Sequence, residues 1–207
     1  SGAFLANPTV AVADATQLQA SDYELRADPS GVPGAWQLTR LADGVVRTVA
    51  DGDTVEITSF DDEDKTQTVK HKVRIWGIDA PETKQLCRDA AGEDYECGRR
   101  AAERMRAALG AEATCEVKAR DQYGRAVARC FPGIRTEEDL LLSGGEDGDA
   151  GLALVESGDA VAYGKFSKGF YEPAERVARE KKKGIWAGEF EVPEDWRREQ
   201  RIKTLQN

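Results

Sequence analysis

Pro81 limits how this chain can run. A proline has no amide hydrogen to give a sheet ladder, and it pushes the residue before it into extended geometry, so a strand reaching it must stop. Upstream, residues 68–78 alternate as a long strand, with Val73, Ile75 and Gly77 on one face and Arg74, Trp76 and Ile78 on the other. Residues 73–83 read Val-Arg-Ile-Trp-Gly-Ile-Asp-Ala-Pro-Glu-Thr, which predicts a strand closing near Asp79. One cation then lies along the strand, and two carboxylates, Asp79 and Glu82, sit where the chain turns out of it. Such a grouping has the look of a site.

The segments before it form a hairpin. Residues 45–49 read as a strand, Asp51-Gly52 as a tight turn and residues 54–57 as the return strand. Residues 61–65, Asp-Asp-Glu-Asp-Lys, carry adjacent carboxylates without the spacing of a cation loop, and read as a solvated hairpin tip. Further upstream, residues 23–26 and 35–39 alternate around a turn-rich stretch and predict an accessory β-hairpin in an extension covering residues 1–44. The chain opens Ser1-Gly2, which reads as a processed or cloned end. Ala11-Val12-Ala13 before Asp14 has the small-x-small look of a signal-peptidase site, but with no basic segment ahead of it ordinary chain is expected.

Downstream, Ala101, Met105, Ala108 and Leu109 recur at helical spacing and Gly110 stops the helix, predicting a helix over 98–109. Its arginines invite a nucleic-acid reading, but interleaved acids make it an amphipathic surface helix. Strands over 114–119 and 126–131 follow, joined through Asp121-Gln122-Tyr123-Gly124. Residues 133–150 are glycine-rich and acidic and read as a loop rather than a second metal site. A short helix over 151–157 ends at Gly158, and a later one carries Pro173 in its first turn and ends at Gly184. The charged tail, residues 189–207, is expected to pack through Phe190, Val192 and Trp196.

At 207 residues one domain with extensions is expected. The net charge of −9 argues against broad charge-driven binding to nucleic acid, but not against a local or metal-bridged site. No apolar run approaches bilayer length, so no membrane partner is expected. The four cysteines form two local pairs. Cys115 and Cys130 are equidistant from the centre of the second hairpin, and Cys87 and Cys97 bracket a polar loop. The pattern favours disulfides and an oxidising compartment over four reduced thiols. Zinc is disfavoured by a single histidine and no C-x-x-C. His71 reads as a surface residue, and Trp76 and Phe131 as core.

Three segments carry matching chemistry: Asp51-Gly52-Asp53-Thr54, residues 74–82, and Asp121-Gln122-Tyr123-Gly124-Arg125. Singly each is weak. In this order, with Leu154-Val155-Glu156-Ser157-Gly158 and Lys183-Gly184-Ile185-Trp186 downstream, they resemble the staphylococcal nuclease (thermonuclease) family over about residues 45–186. The Cys115/Cys130 pair and the Trp186-Ala187-Gly188-Glu189-Phe190 ending resemble its secreted or periplasmic bacterial branch.

The resemblance implies an α+β fold: a five-stranded OB-type Greek-key β-barrel with about three packed helices over residues 45–188, behind the β-rich extension. It implies Ca²⁺-dependent hydrolysis of DNA and RNA; single-stranded or frayed strands are the expected substrate and a monomer the expected state. Carried over by position, Asp53 and Asp79 are the calcium carboxylates and Ala80 offers its backbone carbonyl. Glu82 is the general base, and Arg74 and Arg125 hold the phosphate. Tyr123 and Tyr163 lie where the family makes aromatic contacts to the nucleotide, and Lys84 joins them as a candidate substrate contact. The family's best-known member has threonine where this chain has Ala80.

The residue types suit the chemistry. Ca²⁺ prefers carboxylate, carbonyl and water oxygens. Guanidiniums fit phosphate bidentately. Three other readings compete: a silent OB-type binding module, a calcium-responsive structural domain using the acidic loops, and an Arg74–Asp53–Asp79 ion network that serves only to stabilise the barrel.

Overall fold

The computed structural model describes residues 41–60, 68–142 and 146–206. The expected hairpin in residues 23–39, the acidic loop at 61–65 and Gly144-Gly145 lie outside these. The described chain is a mixed α+β fold whose largest sheet closes on itself, its strands neighbouring in the order Leu41–Asp51, Thr54–Phe60, Thr68–Ile75, Ala126–Pro132, Glu112–Arg120.

β1 (Leu41–Asp51) and β2 (Thr54–Phe60) form the predicted hairpin, with Asp51 paired to Thr54 across the Gly52-Asp53 turn. Register shifts at Val46/Thr48 and Val49/Asp51 bend β1. That bend lets the first part of β1 pair with β7 (Glu112–Arg120) while the rest pairs with β2. β3 (Thr68–Ile75) pairs antiparallel with β2 and parallel with β8 (Ala126–Pro132). β8 returns antiparallel to β7 and completes the circuit.

The long strand expected over 68–78 is broken. β3 stops at Ile75, Trp76-Gly77 turns, and β4 (Ile78–Asp79) pairs with a different strand, β9 (Val161–Ala162). Gly77 is the reason. Its φ of +73 is left-handed, and an added Cβ would come within 2.8 Å of the Ser167 Cβ and 2.9 Å of the Tyr171 ring. The break re-aims Asp79 away from the β3 direction.

A small hairpin of β5 (Cys87–Arg88) and β6 (Asp94–Tyr95) leads into α1 (Cys97–Leu109). α1 buries Ala101, Met105 and Leu109 against the barrel, as their spacing predicts. Both cysteine pairs are disulfides: Cys87–Cys97 ties this hairpin to α1, and Cys115–Cys130 joins residues directly opposed on β7 and β8.

More helices form than the three expected. α2 (Glu137–Leu142) precedes α3 (Ala150–Ser157), and the short α4 (Gly164–Ser167) precedes α5 (Glu172–Glu180). α5 ends at Glu180 rather than at Gly184, which instead opens a 3₁₀ turn, Gly184–Ala187. The tail folds into α6 (Pro193–Leu205), with Phe190 stacked edge-on against Trp186 at 4.8 Å. Trp76 and Phe131 are buried as expected.

Asp149, read as part of an acidic loop, is a buried helix cap. Its Oδ1 accepts from the Gly151 and Leu152 amides at 2.8 and 3.3 Å, opening α3. Its Oδ2 accepts from Arg129 at 2.9 Å and from the Tyr171 hydroxyl at 2.7 Å. Burial, reinforced by the Asp149 charge, raises the Tyr171 phenol far above the usual tyrosine range, so it stays a donor. Asp149→Ala should therefore cost about 3–5 kcal/mol, because it uncaps α3 and removes the buried carboxylate that Arg129 and Tyr171 share. Urea unfolding measures this, and a loss below about 1 kcal/mol would contradict the role given to Asp149.

Candidate active site

Four elements deliver the side chains. The β1–β2 turn presents Asp53, β3 presents Arg74, and β4 with the turn after it presents Asp79, Ala80 and Glu82. Helix α6 brings a residue the sequence did not single out, Arg197.

Asp53 is fixed on every side. Its amide donates to Asp51 Oδ1 at 3.0 Å, and its carbonyl accepts from the Ile75 amide at 2.7 Å. Its Oδ2 accepts from the Ala80 amide at 2.9 Å, while Oδ1 pairs with Arg74 and accepts from the Thr54 hydroxyl at 3.2 Å. Arg74, opposite Thr54 in the ladder, thus reaches Asp53 with one nitrogen. Its other terminal nitrogen donates to Asp79 Oδ1 at 3.0 Å and to the Ile78 carbonyl at 3.2 Å. Asp53 and Asp79 are 3% and 1% exposed. Burial lowers Arg74 from the ordinary arginine value against the pull of Asp79, yet a guanidinium stays charged at any ordinary pH.

Arg197 completes the cluster. One terminal nitrogen donates to Asp79 Oδ1 at 2.9 Å and to Glu82 Oε1 at 3.0 Å, and the other donates to Asp79 Oδ2 at 3.0 Å. Burial acts to lower its pKa, but the hydrogen bonds and charges of Asp79 and Glu82 outweigh it and raise the group above the usual arginine value. The Glu82 amide donates to Gln85 Oε1 at 3.2 Å, and Gln85 Nε2 reaches the Glu191 carbonyl at 2.6 Å just ahead of α6. Asp51 belongs to the same neighbourhood. Burial raises its carboxyl above the ordinary aspartate value, partly offset by Arg74, Thr54 and Arg125.

The remaining sequence candidates lie outside this contact network. Arg125 sits on the β7–β8 turn, where its Nε donates to Asp121 Oδ2 at 2.6 Å and its guanidinium lies 5.7 Å from the Tyr123 ring centre. Burial raises Asp121, but the Arg125 and backbone hydrogen bonds outweigh it and hold the carboxyl below its usual value. Tyr123 is 75% exposed and Lys84 is also exposed. Tyr163 lies 5.0 Å from Phe166, ring to ring, and its hydroxyl donates to Glu194 of α6 at 3.3 Å. His71 Nε2 is 2.8 Å from the Ser59 hydroxyl.

Ala80 now has a physical explanation. It is 1% exposed, and a Cβ built on Gly52 would meet the Ala80 Cβ at 2.6 Å and the Ala101 Cβ at 2.7 Å. Gly52 of the β1–β2 turn packs between Ala80 and Ala101 of α1, and Ala80 meets the site through its amide on Asp53.

Among the described residues, no group of three or more His, Cys, Asp or Glu side chains is arranged to hold a metal ion. The oxygens nonetheless fit a hard cation in kind: the carboxylates of Asp53 and Asp79 and the nearby backbone of Ala80. They are engaged by guanidiniums, Arg74 on both aspartates and Arg197 on Asp79.

Fold and cluster together define a mixed α+β barrel protein with buried aspartates bridged by a strand arginine and a glutamate at hand. The chain belongs to the staphylococcal nuclease family: the family described as staphylococcal nuclease homologue matches residues 72–188. That range omits Asp53, which the β1–β2 turn brings against Arg74 and Ala80. A second match, described as flagellar hook-associated protein 1, D2-like domain, covers residues 2–71. It takes in β1, β2 and part of β3, which close the same sheet as β7 and β8, and no assignment follows from it.

Among curated proteins, the chain is 35% identical over 147 residues to "Succinoglycan biosynthesis protein ExoI" of Rhizobium meliloti (strain 1021). That match covers 70% of this chain and 64% of the relative. It is 32% identical over 147 residues to "Probable endonuclease LCL3" of Schizophyllum commune (strain H4-8 / FGSC 9210), covering 65% of this chain and 46% of the relative. The chain thus matches under two thirds of either relative's length.

The packing around Gly52 is directly testable. Gly52→Ala should destabilise the fold by about 1–3 kcal/mol, since the new methyl must displace Ala80 or α1. Thermal unfolding of the variant against wild type measures it. An unchanged Tm would mean that the turn is not held as tightly as its contacts indicate.

Proposed function

We propose that this protein is a Ca²⁺-dependent phosphodiesterase that hydrolyses DNA and RNA with little sequence specificity, leaving 3′-phosphate and 5′-hydroxyl ends. The observation that carries the reading is the convergence of Asp53, Arg74 and Asp79 in one buried contact network with Glu82 beside it, on a chain of the staphylococcal nuclease family. A network serving stability alone has less to recommend it, because a buried ion cluster adds little net stability. The name of the Schizophyllum relative, a probable endonuclease, points the same way.

In this reading Asp53, Asp79 and the Ala80 carbonyl hold Ca²⁺. When bound, that ion neutralises phosphate charge and orients the ester. Arg74, held on β3 between both aspartates, offers its guanidinium to a phosphate oxygen. Arg125, released from Asp121, supplies a second fork from the β7–β8 turn. Glu82 takes the proton of the attacking water. Tyr123, Tyr163 and Lys84 contact the flanking nucleotide.

With few phosphates neutralised, affinity for the strand falls only modestly with salt, consistent with a net charge of −9. The OB-type barrel suits single-stranded or frayed substrate, and the protein acts as a monomer. Two disulfides fit a secreted or periplasmic setting. No described helix is long and apolar enough to cross a membrane.

Glu82→Gln should lower the cleavage rate about 10²–10⁴-fold while leaving circular dichroism unchanged, and excess EGTA should abolish wild-type cleavage. A gel assay of DNA and RNA with Ca²⁺, with EGTA and with the variant tests both. Turnover that survives EGTA would rule out the calcium mechanism, and oligonucleotide binding without cleavage in millimolar Ca²⁺ would favour a silent binding module.

A further inference from the structure

We propose that Arg197 is a resident cation of the carboxylate site, which Ca²⁺ must displace, so that helix α6 sets the calcium level at which the site opens. The inference rests on the calcium reading above and adds to it a residue from outside the matched range, since the family match ends at residue 188.

The geometry is that of a competitor. Both oxygens of Asp79 accept from the Arg197 fork, at 2.9 and 3.0 Å, and the same guanidinium reaches Glu82 at 3.0 Å. One planar cation therefore spans the carboxylate needed for the metal and the carboxylate needed for the water. Asp79 Oδ1 already accepts from Arg74, so Arg197 takes its second lone pair and occupies Oδ2 as well, and a divalent ion placed beside a further guanidinium is repelled by it. Arg197 and Ca²⁺ therefore compete for Asp79. While Arg197 is bound, Glu82 Oε1 is also engaged by it.

α6 is built to leave. Pro193 is its one fully buried residue, Trp196 is half-buried, and Ile202 and Leu205 are 49% and 87% exposed. Besides Arg197, the contacts that hold it include the Tyr163–Glu194 hydrogen bond at 3.3 Å. Two of its ion pairs lie within the helix: Arg198 with Asp195 at 2.9 Å and Lys203 with Glu199 at 3.4 Å. An element with so little buried apolar surface sits at the low-stability end of a fold, and its release leaves the barrel core intact. A ligand shifts such an equilibrium by its preference for one state, and Ca²⁺ prefers the state without Arg197.

A different role for the same side chain is a third phosphate clamp. That role predicts a raised KM with unchanged calcium affinity in Arg197→Ala, whereas a competitor predicts tighter calcium without substrate.

The test uses the full chain and no nucleic acid. Calcium affinity is measured by calorimetry, and by Tb³⁺ luminescence with Ca²⁺ competition, for wild type, Arg197→Ala, Arg197→Lys and Asp79→Asn. Arg197→Ala should bind Ca²⁺ about tenfold tighter, Arg197→Lys should fall between it and wild type, and Asp79→Asn should lose binding. In wild type, Ca²⁺ should speed tryptic cleavage after Arg198 and Arg201, read by mass spectrometry, which needs no variant to fold. A gain of less than about threefold in Arg197→Ala, or cleavage in α6 that Ca²⁺ does not change, overturns the inference while Ca²⁺-dependent nuclease activity can stand. Absence of calcium binding in both wild type and Arg197→Ala overturns the calcium reading and this inference together.

Discussion

The structure around the site depends on one half-buried guanidinium. Arg74 ties the β1–β2 turn to β4 by contacting Asp53 on one side and Asp79 on the other. Neither aspartate could stay buried and charged alone, since an unpaired carboxylate out of water costs several kcal/mol. Arg74 is itself anchored by a strand paired on both edges, to β2 and to β8. The cluster therefore inherits the rigidity of the barrel rather than the looseness of a turn. The same arrangement makes the site sensitive to a change in cations, because two negative charges share one strand arginine and one arginine from a lightly attached helix.

A second buried network works for the fold. Asp149 caps α3 and binds Arg129 and Tyr171, and Arg129 reaches towards Glu116 on β7 at 3.9 Å. It locks α3 onto β8 and leaves the first network to function. The disulfides act on different parts: Cys115–Cys130 clamps the two strands that close the sheet, and Cys87–Cys97 pins the β5–β6 hairpin next to the Glu82 turn.

Features legible in the sequence were those set by near neighbours. The Asp51-Gly52 turn, the opposed Cys115 and Cys130, the Ala101–Met105–Leu109 stripe and the Pro173 helix start each follow from spacing within one element. Arg74 and Asp79 were visible because one stretch of chain carries both. Features missed depend on packing from afar. The strand breaks at Trp76-Gly77, where Ser167 and Tyr171, from another part of the chain, leave no room for a Cβ and the backbone turns left-handed. Asp149 looked like one more acid in a glycine-rich run, and only Arg129 and Tyr171 mark it as buried.

By itself the sequence determined the chemical inventory and its local order: two aspartates, a glutamate and two arginines on three hairpin-like segments. Tertiary structure decided which charges meet. Arg125, expected at the site, turns to Asp121 four residues away, while Arg197 reaches Asp79 and Glu82 across separations of 118 and 115 residues. Nothing local distinguishes Arg197 from Arg198 or Arg201, because a charge states what it can pair with but not where its partner lies. That choice belongs to the packing of α6, and it follows from the distance at which a hydrogen bond forms.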